Sequence, residues 1–397
     1  MVVEGLSLSR VPSPCFVVDT AALESNLAIL SQVQQQSGAA ILLALKAFAM
    51  HAVFPQIRAH LAGVCASGPH EARLGRYEFC RDPHGGQVHT FAAAYSRSDL
   101  AQVLQLSDHV VFNSCQQWQR FRSTALSAAA AQQGRPRFGL RINPEHSEGA
   151  VALYDPCAPY SRLGITESEL RRHLAEDSTL LAEISGLHMH TLCEQGADAL
   201  QRTVAAMEHK FGDLLPRLKW LNLGGGHHIT QPDYDRQLLI DVVRDLKQRY
   251  QLDIYLEPGE AVAINTGVLV CTVLDTIHNG MDLAILDISA TAHMPDVLEM
   301  PYRPEIRGAS QPGDKPYTYR LGGMSCLSGD VIGDYSFDQP LQPGDRLLFE
   351  DMSHYTMVKT TMFNGVQHPS IACYNPATDT VQIVRTFGYE DFCSRLS

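Results

Sequence analysis

No stretch of this chain is apolar over the roughly eighteen residues that a membrane-spanning helix requires, so no span is expected. The opening MVVEGLSLSR lacks a basic segment followed by a long apolar core, and no secretory signal peptide is expected either. Positive charge is scarce. Against 43 Asp and Glu there are 31 Lys and Arg, a net charge of −12. That balance disfavours nucleic acid and anionic membranes as partners and suits a small cationic substrate. Ten cysteines are present without any C-x-x-C pair, and Cys15, Cys65 and Cys271 lie in apolar runs. They read as reduced, mostly buried thiols of a cytoplasmic protein rather than as a disulfide framework. Low-complexity tracts, linkers and solenoid periods are also missing. What remains is globular, with 45% apolar and 19% charged residues in 397, enough for about two domains.

Short apolar or β-branched runs recur through the first two-thirds: AAILLALK (39–46), AGVCAS (62–67), QVHTFA (87–92), HVVFN (109–113), RFGLRIN (137–143), EISGLHMH (183–190), LKWLNLGG (218–225) and LDIYLEP (252–258). Helix-like spacing lies between them. Residues 114–133 open on Ser114 as an N-cap and stop at Gly134, 233–250 follow Asp233, and an extra helix over 20–36 precedes the first of these strands. Eight strands alternating with helices predict a closed (β/α)8 TIM-like barrel over 21–262, with an open doubly wound sheet as the competitor. After residue 262 the helices shorten, strand-like runs dominate, and QPGDK (311–315) and QPGDR (342–346) mark turns. A second, mostly antiparallel β-domain is expected over 1–20 and 263–397, with SPCFVVDT (13–20) as a strand.

In such a barrel the reactive side chains gather at the carboxyl ends of the strands. There the chain places Lys46, Ser67 with Glu71 beyond it, Asn113, Arg141 and Asn143, His190, Gly224 to Gly226, and Glu257. Lys46 closes the apolar run ILLALKAFAM. It either reaches water at a strand end or is deprotonated, paired or covalently engaged. LNLGGGHH (221–228) is a strand followed by three glycines, which is either an ordinary tight turn or a backbone cradle for phosphate. LHMH (187–190) puts His188 and His190 on one side of a strand. With His227 and His228 they could hold zinc, as in a metal-dependent hydrolase, or His188 is an interior residue with a satisfied hydrogen bond. EPGEA (257–261) offers two carboxylates or two surface ion-pair partners, and CLSGDVIGDY (326–335) reads by itself as a surface loop.

Taken together, a lysine, a glycine-rich anion site, a histidine and a carboxylate on separate strand ends resemble the alanine-racemase-fold group of pyridoxal 5′-phosphate-dependent decarboxylases, which includes ornithine, arginine and diaminopimelate decarboxylases. Within it the chain is most similar to the branch acting on carboxynorspermidine and carboxyspermidine, from SPCFVVDT to TFGYEDF. The resemblance implies that Lys46 in ALKAF bonds the cofactor and that Glu71 in CASGPHE lies in the network near it. It also implies that Arg141 in LRINP sits near the cofactor's 3′-oxygen and that His190 in HMHTL stacks on the ring. By the same resemblance, Gly224, Gly225 and Gly226 bind phosphate together with Tyr355 in HYTMVKTTMFNG. Glu257 in EPGE pairs with the pyridine nitrogen, and Cys326 in GGMSCLSGD reaches a partner subunit's site as proton donor, with Lys46 as the alternative donor. A homodimer with shared sites follows.

Relatives usually carry arginine where Glu260 stands, often serine at Cys193, and an acid at Leu327. Acid in place of arginine at Glu260 suits a substrate tail bearing ammonium groups. Asp296 in HMPDVLEMPYRP resembles the substrate-end aspartate, with Asp330 and Asp334 as further candidates. The expected function is decarboxylation of carboxynorspermidine or carboxyspermidine in polyamine biosynthesis. The alternatives are another decarboxylase or racemase of this fold, such as a diaminopimelate decarboxylase, the metal hydrolase, and a PLP-homeostasis protein. No metal is expected.

Overall fold

The structure is a computed structural model describing residues 2–81, 85–146, 148–149 and 155–397. It divides into two compact units, Asn26–Val262 and Met1–Ser25 with Ala263–Ser397. After β1 (Cys15–Asp19), the first unit is a closed barrel of eight parallel strands in sequence order. These are β2 (Ala40–Ala44), β3 (Gly63–Ala66), β4 (Gln87–Phe91), β5 (His109–Phe112), β6 (Arg137–Arg141), β7 (Ile184–His188), β8 (Trp220–Asn222) and β9 (Asp253–Leu256). Closure comes from β2 pairing with β9, Ala40 opposite Tyr255 and Ile41 opposite Leu256. All eight expected strands form, and each ends short of its expected carboxyl end. Most of the rim residues therefore lie just past the strands, with Arg141 still the last residue of β6 and Glu71 in the helix after β3.

Helices cover the barrel as the spacing predicts. Ser114 caps Cys115–Ala131 through its hydroxyl, which accepts from the Gln117 N–H at 3.1 Å. The later helix starts at Arg236, and its cap is Asp235, accepting from the Leu238 N–H at 2.9 Å. Side chains fill the barrel. The Trp220 indole occupies space that a Cβ on Gly139 or Gly186 would enter, so glycine on β6 and β7 is the condition for tryptophan on β8. His109 stacks on Trp220 with ring centroids 4.7 Å apart, and His89 and Tyr255 pack edge-on within the same layer.

The second unit is one sheet of eight strands. β1 is followed in chain order by β10 (Gly267–His278), β11 (Asp282–Leu286), β12 (Tyr317–Gly322), β13 (Val331–Phe337), β14 (Arg346–Phe349), β15 (Ser370–Asn375) and β16 (Thr380–Arg385). Spatially the order is β13-β12-β11-β10-β1-β15-β16, with β14 also on β10. Only β1–β15 and β11–β12 pair in parallel. β1 does belong to this sheet, between β10 and β15. Alternate residues Cys15 and Val17, with Val268, Val270, Leu348, Ala372 and Tyr374, form one apolar face. Both QPGD segments turn through Asp N–H to Gln carbonyl bonds, at 3.1 and 3.0 Å. Residues 326–335, expected as a surface loop, contain the start of β13. Its Asp334 is paired across strands with Arg320 at 2.7 Å.

Candidate active site

Lys46 lies two residues beyond β2 and is exposed at the barrel rim, the strand-end position open to water that is one of its two expected readings. Its Nζ lies 3.5 Å from Nε2 of His190, which is two residues beyond β7. The Gly225 N–H donates to His190 Nδ1 at 2.9 Å, which assigns the neutral ring's proton to Nε2. Arg141 closes the arrangement, donating to the His190 carbonyl at 2.9 Å. Burial, followed by the charges of Lys46 and Arg141, drives the His190 imidazole well below its ordinary range and keeps it neutral. Burial also pulls Arg141 down to about 10, which leaves it cationic at neutral pH, with its guanidinium 4.6 Å from the centre of the Phe91 ring.

Glu257, just past β9, is almost enclosed. Asn222 Nδ2 donates to its Oε1 at 2.6 Å, and His188 Nε2 lies 3.4 Å from its Oε2. Burial by itself would raise this carboxyl. The pull of His188, the Asn222 bond and Lys46 outweigh it, and the group is held below its ordinary range as an anion. Cys65 on β3 joins the cluster: burial and then the Glu257 charge push its thiol well up, so it stays protonated.

The three glycines follow β8 directly. A Cβ on Gly225 would strike the Glu257 carbonyl oxygen and one on Gly226 the Leu192 carbonyl oxygen, while Gly224 and Gly226 hold φ of +73° and +81°. Their first duty is therefore close backbone approach. The expected cradle of free N–H groups is not what Gly224 and Gly225 offer. The Gly224 N–H donates to Asn222 Oδ1 at 2.9 Å, and that of Gly225 is taken by His190.

Other candidates are placed as follows. Glu71 accepts the Ser67 N–H at 2.7 Å, tying down the turn after β3. Glu260 Oε2 lies 3.5 Å from His228 Nε2, beside the glycines. Neither nitrogen of buried His188 makes a regular hydrogen bond, contrary to the satisfied interior histidine expected. Among the described residues no group of three or more His, Cys, Asp and Glu side chains is arranged to hold a metal ion.

In the sheet unit, Cys326 is exposed and its N–H donates to Asn364 Oδ1 at 2.8 Å. Tyr355 sits at φ +47° with its ring edge-on to His354. Asp330 is buried, and its oxygens accept from the N–H of Ala290 at 2.7 Å and from the Ser325 hydroxyl at 2.6 Å. It anchors the cysteine loop, and the expectation that it contacts substrate gives way to that role. Asp296 is engaged by the Lys359 ammonium, which also reaches Glu299 at 2.8 Å.

An amine at the rim, a neutral histidine beside it, a buried arginine and a buried carboxylate held as an anion fit pyridoxal 5′-phosphate: aldehyde, ring, acidic oxygen and basic ring nitrogen each have a chemical counterpart. The sequence reading missed Asn222 and Cys65. The signal for Asn222 was present, since alternation in LNLGGG puts it on the same inward face as Trp220.

Residues 15–353 match the model of the pyridoxal-dependent decarboxylases described as "Pyridoxal-dependent decarboxylase, C-terminal sheet domain". The chain is 47% identical to the carboxyaminopropylagmatine decarboxylase of Synechocystis, covering 100% of this chain and 98% of the relative. It is 37% identical to the carboxynorspermidine/carboxyspermidine decarboxylase of Campylobacter jejuni, covering 97% and 99%. The crystal structure of the C. jejuni carboxynorspermidine decarboxylase complexed with norspermidine superposes with a TM-score of 0.85 at 36% identity, over 97% of this chain and 100% of that one.

Proposed function

This chain belongs to the pyridoxal-dependent decarboxylase family, and from that premise we propose that it removes the α-carboxylate from a carboxylated polyamine, carboxynorspermidine or carboxyspermidine, in the cytoplasm. The carrying observation is the charged Glu257 carboxylate inside the same rim that bears the Lys46 amine and His190. The names of relatives matched over the full length support the polyamine substrate over diaminopimelate. The acidic balance of 43 to 31 does so too.

The cofactor, when bound, supplies the sink for the electron pair released as CO2 leaves. Lys46, whose Nζ lies at the rim beside His190, would hold it covalently and would be the nearest base or acid to the reacting carbon. Glu257 keeps a proton on a basic ring nitrogen set against it. His190, neutral and fixed at Nδ1, limits movement of the ring, and Arg141 holds the acidic ring oxygen. The region of Gly224 to Gly226 receives the phosphate, while Glu71 braces the turn after β3. Glu260, beside the glycines, meets an ammonium group of the tail, whereas Asp296 is already engaged by Lys359. Cys326 of a second protomer delivers the proton to Cα through its thiol, and the working unit is a homodimer with shared sites.

One observation favours a second substrate. The 47% identical relative is named for carboxyaminopropylagmatine, whose tail ends in a guanidinium rather than an ammonium. CO2 release measured across carboxynorspermidine, carboxyspermidine, carboxyaminopropylagmatine, diaminopimelate, ornithine and arginine tests both. The highest kcat/KM is expected on carboxynorspermidine or carboxyspermidine. Preference for carboxyaminopropylagmatine would select the second reading, and activity on diaminopimelate alone would overturn both.

A further inference from the structure

His188 is the last residue of β7 and is 2% exposed, inside a barrel whose interior positions are normally aliphatic. A buried imidazole with neither nitrogen in a regular hydrogen bond costs stability that a leucine at the same place would not. Its surroundings restrict what that polarity can serve. The Phe91 ring packs against it edge-on, with centroids 5.4 Å apart at 76°, and Arg141 lies over Phe91. Nε2 faces Oε2 of Glu257 at 3.4 Å. Two tautomers are open to a neutral imidazole. With the proton on Nδ1, a lone pair on Nε2 faces the carboxylate and repels it. With the proton on Nε2, the same approach joins donor to acceptor. The second is the stable arrangement. Burial lowers His188, with Glu257 opposing, and the ring stays neutral.

We propose that His188 is a positioning residue for the cofactor: its Nε2–H holds Oε2 of Glu257, so that the carboxylate stays charged and aimed at the pyridine nitrogen. Asn222 grips Oε1 from the other side. Two neutral donors make the carboxylate a weaker base, which leaves the shared proton on the ring nitrogen rather than on Glu257. The proposal rests on the cofactor reading above.

The test is equilibrium binding, followed by protein fluorescence, of pyridoxal 5′-phosphate and of its 1-deaza analogue, in which a C–H replaces the ring nitrogen. The wild-type protein should bind the analogue about tenfold or more weakly, the size of one hydrogen bond to a charged group. In His188→Leu that ratio should shrink to about threefold or less, because a loosened or protonated Glu257 no longer reads the nitrogen. His188→Gln, whose amide nitrogen reaches the height of Nε2, should restore the wild-type ratio. Equal weakening of both ligands in His188→Leu, with the ratio kept, would mean that His188 only fills space. Should His188→Leu fail to fold by circular dichroism, His188→Asn takes its place. Its shorter amide falls short of Oε2, so a ratio kept in Gln and lost in Asn supports the proposal, and equal ratios in the two overturn it. A wild-type ratio near one would mean that Glu257 does not pair with the ring nitrogen, and would overturn the proposal while leaving the cofactor in place.

Discussion

Acid should unfold the barrel through its buried histidines well before its carboxylates titrate. His109 and His227 are 3% and 1% exposed, and burial carries them to about 3 and about 4; in His109 the neighbouring Arg137 adds to the effect and Asp108 opposes it. In the unfolded chain both return to about 6.5. A base lowered by folding takes up its proton first in the unfolded chain. Its contribution to stability is therefore complete above about pH 6.5 and is lost as pH falls from there toward the folded value. Between pH 7.5 and 5 each of the two loses about 2 kcal/mol, and together about 4 kcal/mol, a large part of a typical total of about 5–15 kcal/mol. His89, His188 and His190 are lowered too and act in the same direction. Urea unfolding followed by fluorescence of Trp118 and Trp220, both fully buried in the barrel unit, reads this loss directly. His109→Phe keeps a ring against Trp220 and removes one titration, so the difference between pH 7.5 and 5 should shrink by about 2 kcal/mol. A wild-type midpoint unchanged between these pH values, or an undiminished difference in His109→Phe, would refute the reasoning.

Lys46→Ala should abolish the visible absorption of bound cofactor and lower decarboxylation by about a thousandfold or more, measured by spectrum and CO2 release, with the fold intact because Lys46 is exposed. Gly225→Ala drives a Cβ into the Glu257 carbonyl. It should cost about 1–3 kcal/mol in urea unfolding and weaken cofactor affinity by equilibrium titration. Cys326→Ala and Lys46→Ala should each be inactive alone and, once mixed and allowed to exchange subunits, recover about one quarter of wild-type CO2 release, since half of the dimers would carry one intact site.

Much of the molecule was legible in the chain. Strand positions followed from apolar runs, and the Ser114 cap from its own side chain. The rim residues followed from where those runs stop. The failures share a cause. Strands were read too long because the polar and glycine residues at the rim follow the apolar runs without a break, while the pairing ends a residue or more before most of them. β13 was taken for a loop because Gly329, Asp330, Gly333 and Asp334 look like turn residues, although Asp334 is balanced by Arg320 on the neighbouring strand. Asp330 looked like a free carboxylate until the N–H of Ala290, forty positions away, was placed against it.

The alternation of apolar runs and helical spacing, with polar residues at the run ends, was enough to determine a barrel, a sheet unit and the residues at one rim. All of that depends on periods within a few residues. Which donors surround Glu257, which N–H groups of the glycine turn are already used, and which carboxylates are spoken for by Lys359 or Arg320 were decided only by tertiary structure. Those pairings join residues far apart in the chain, and their energies depend on distances of about 3 Å that exist only once the barrel has closed and the sheet has paired.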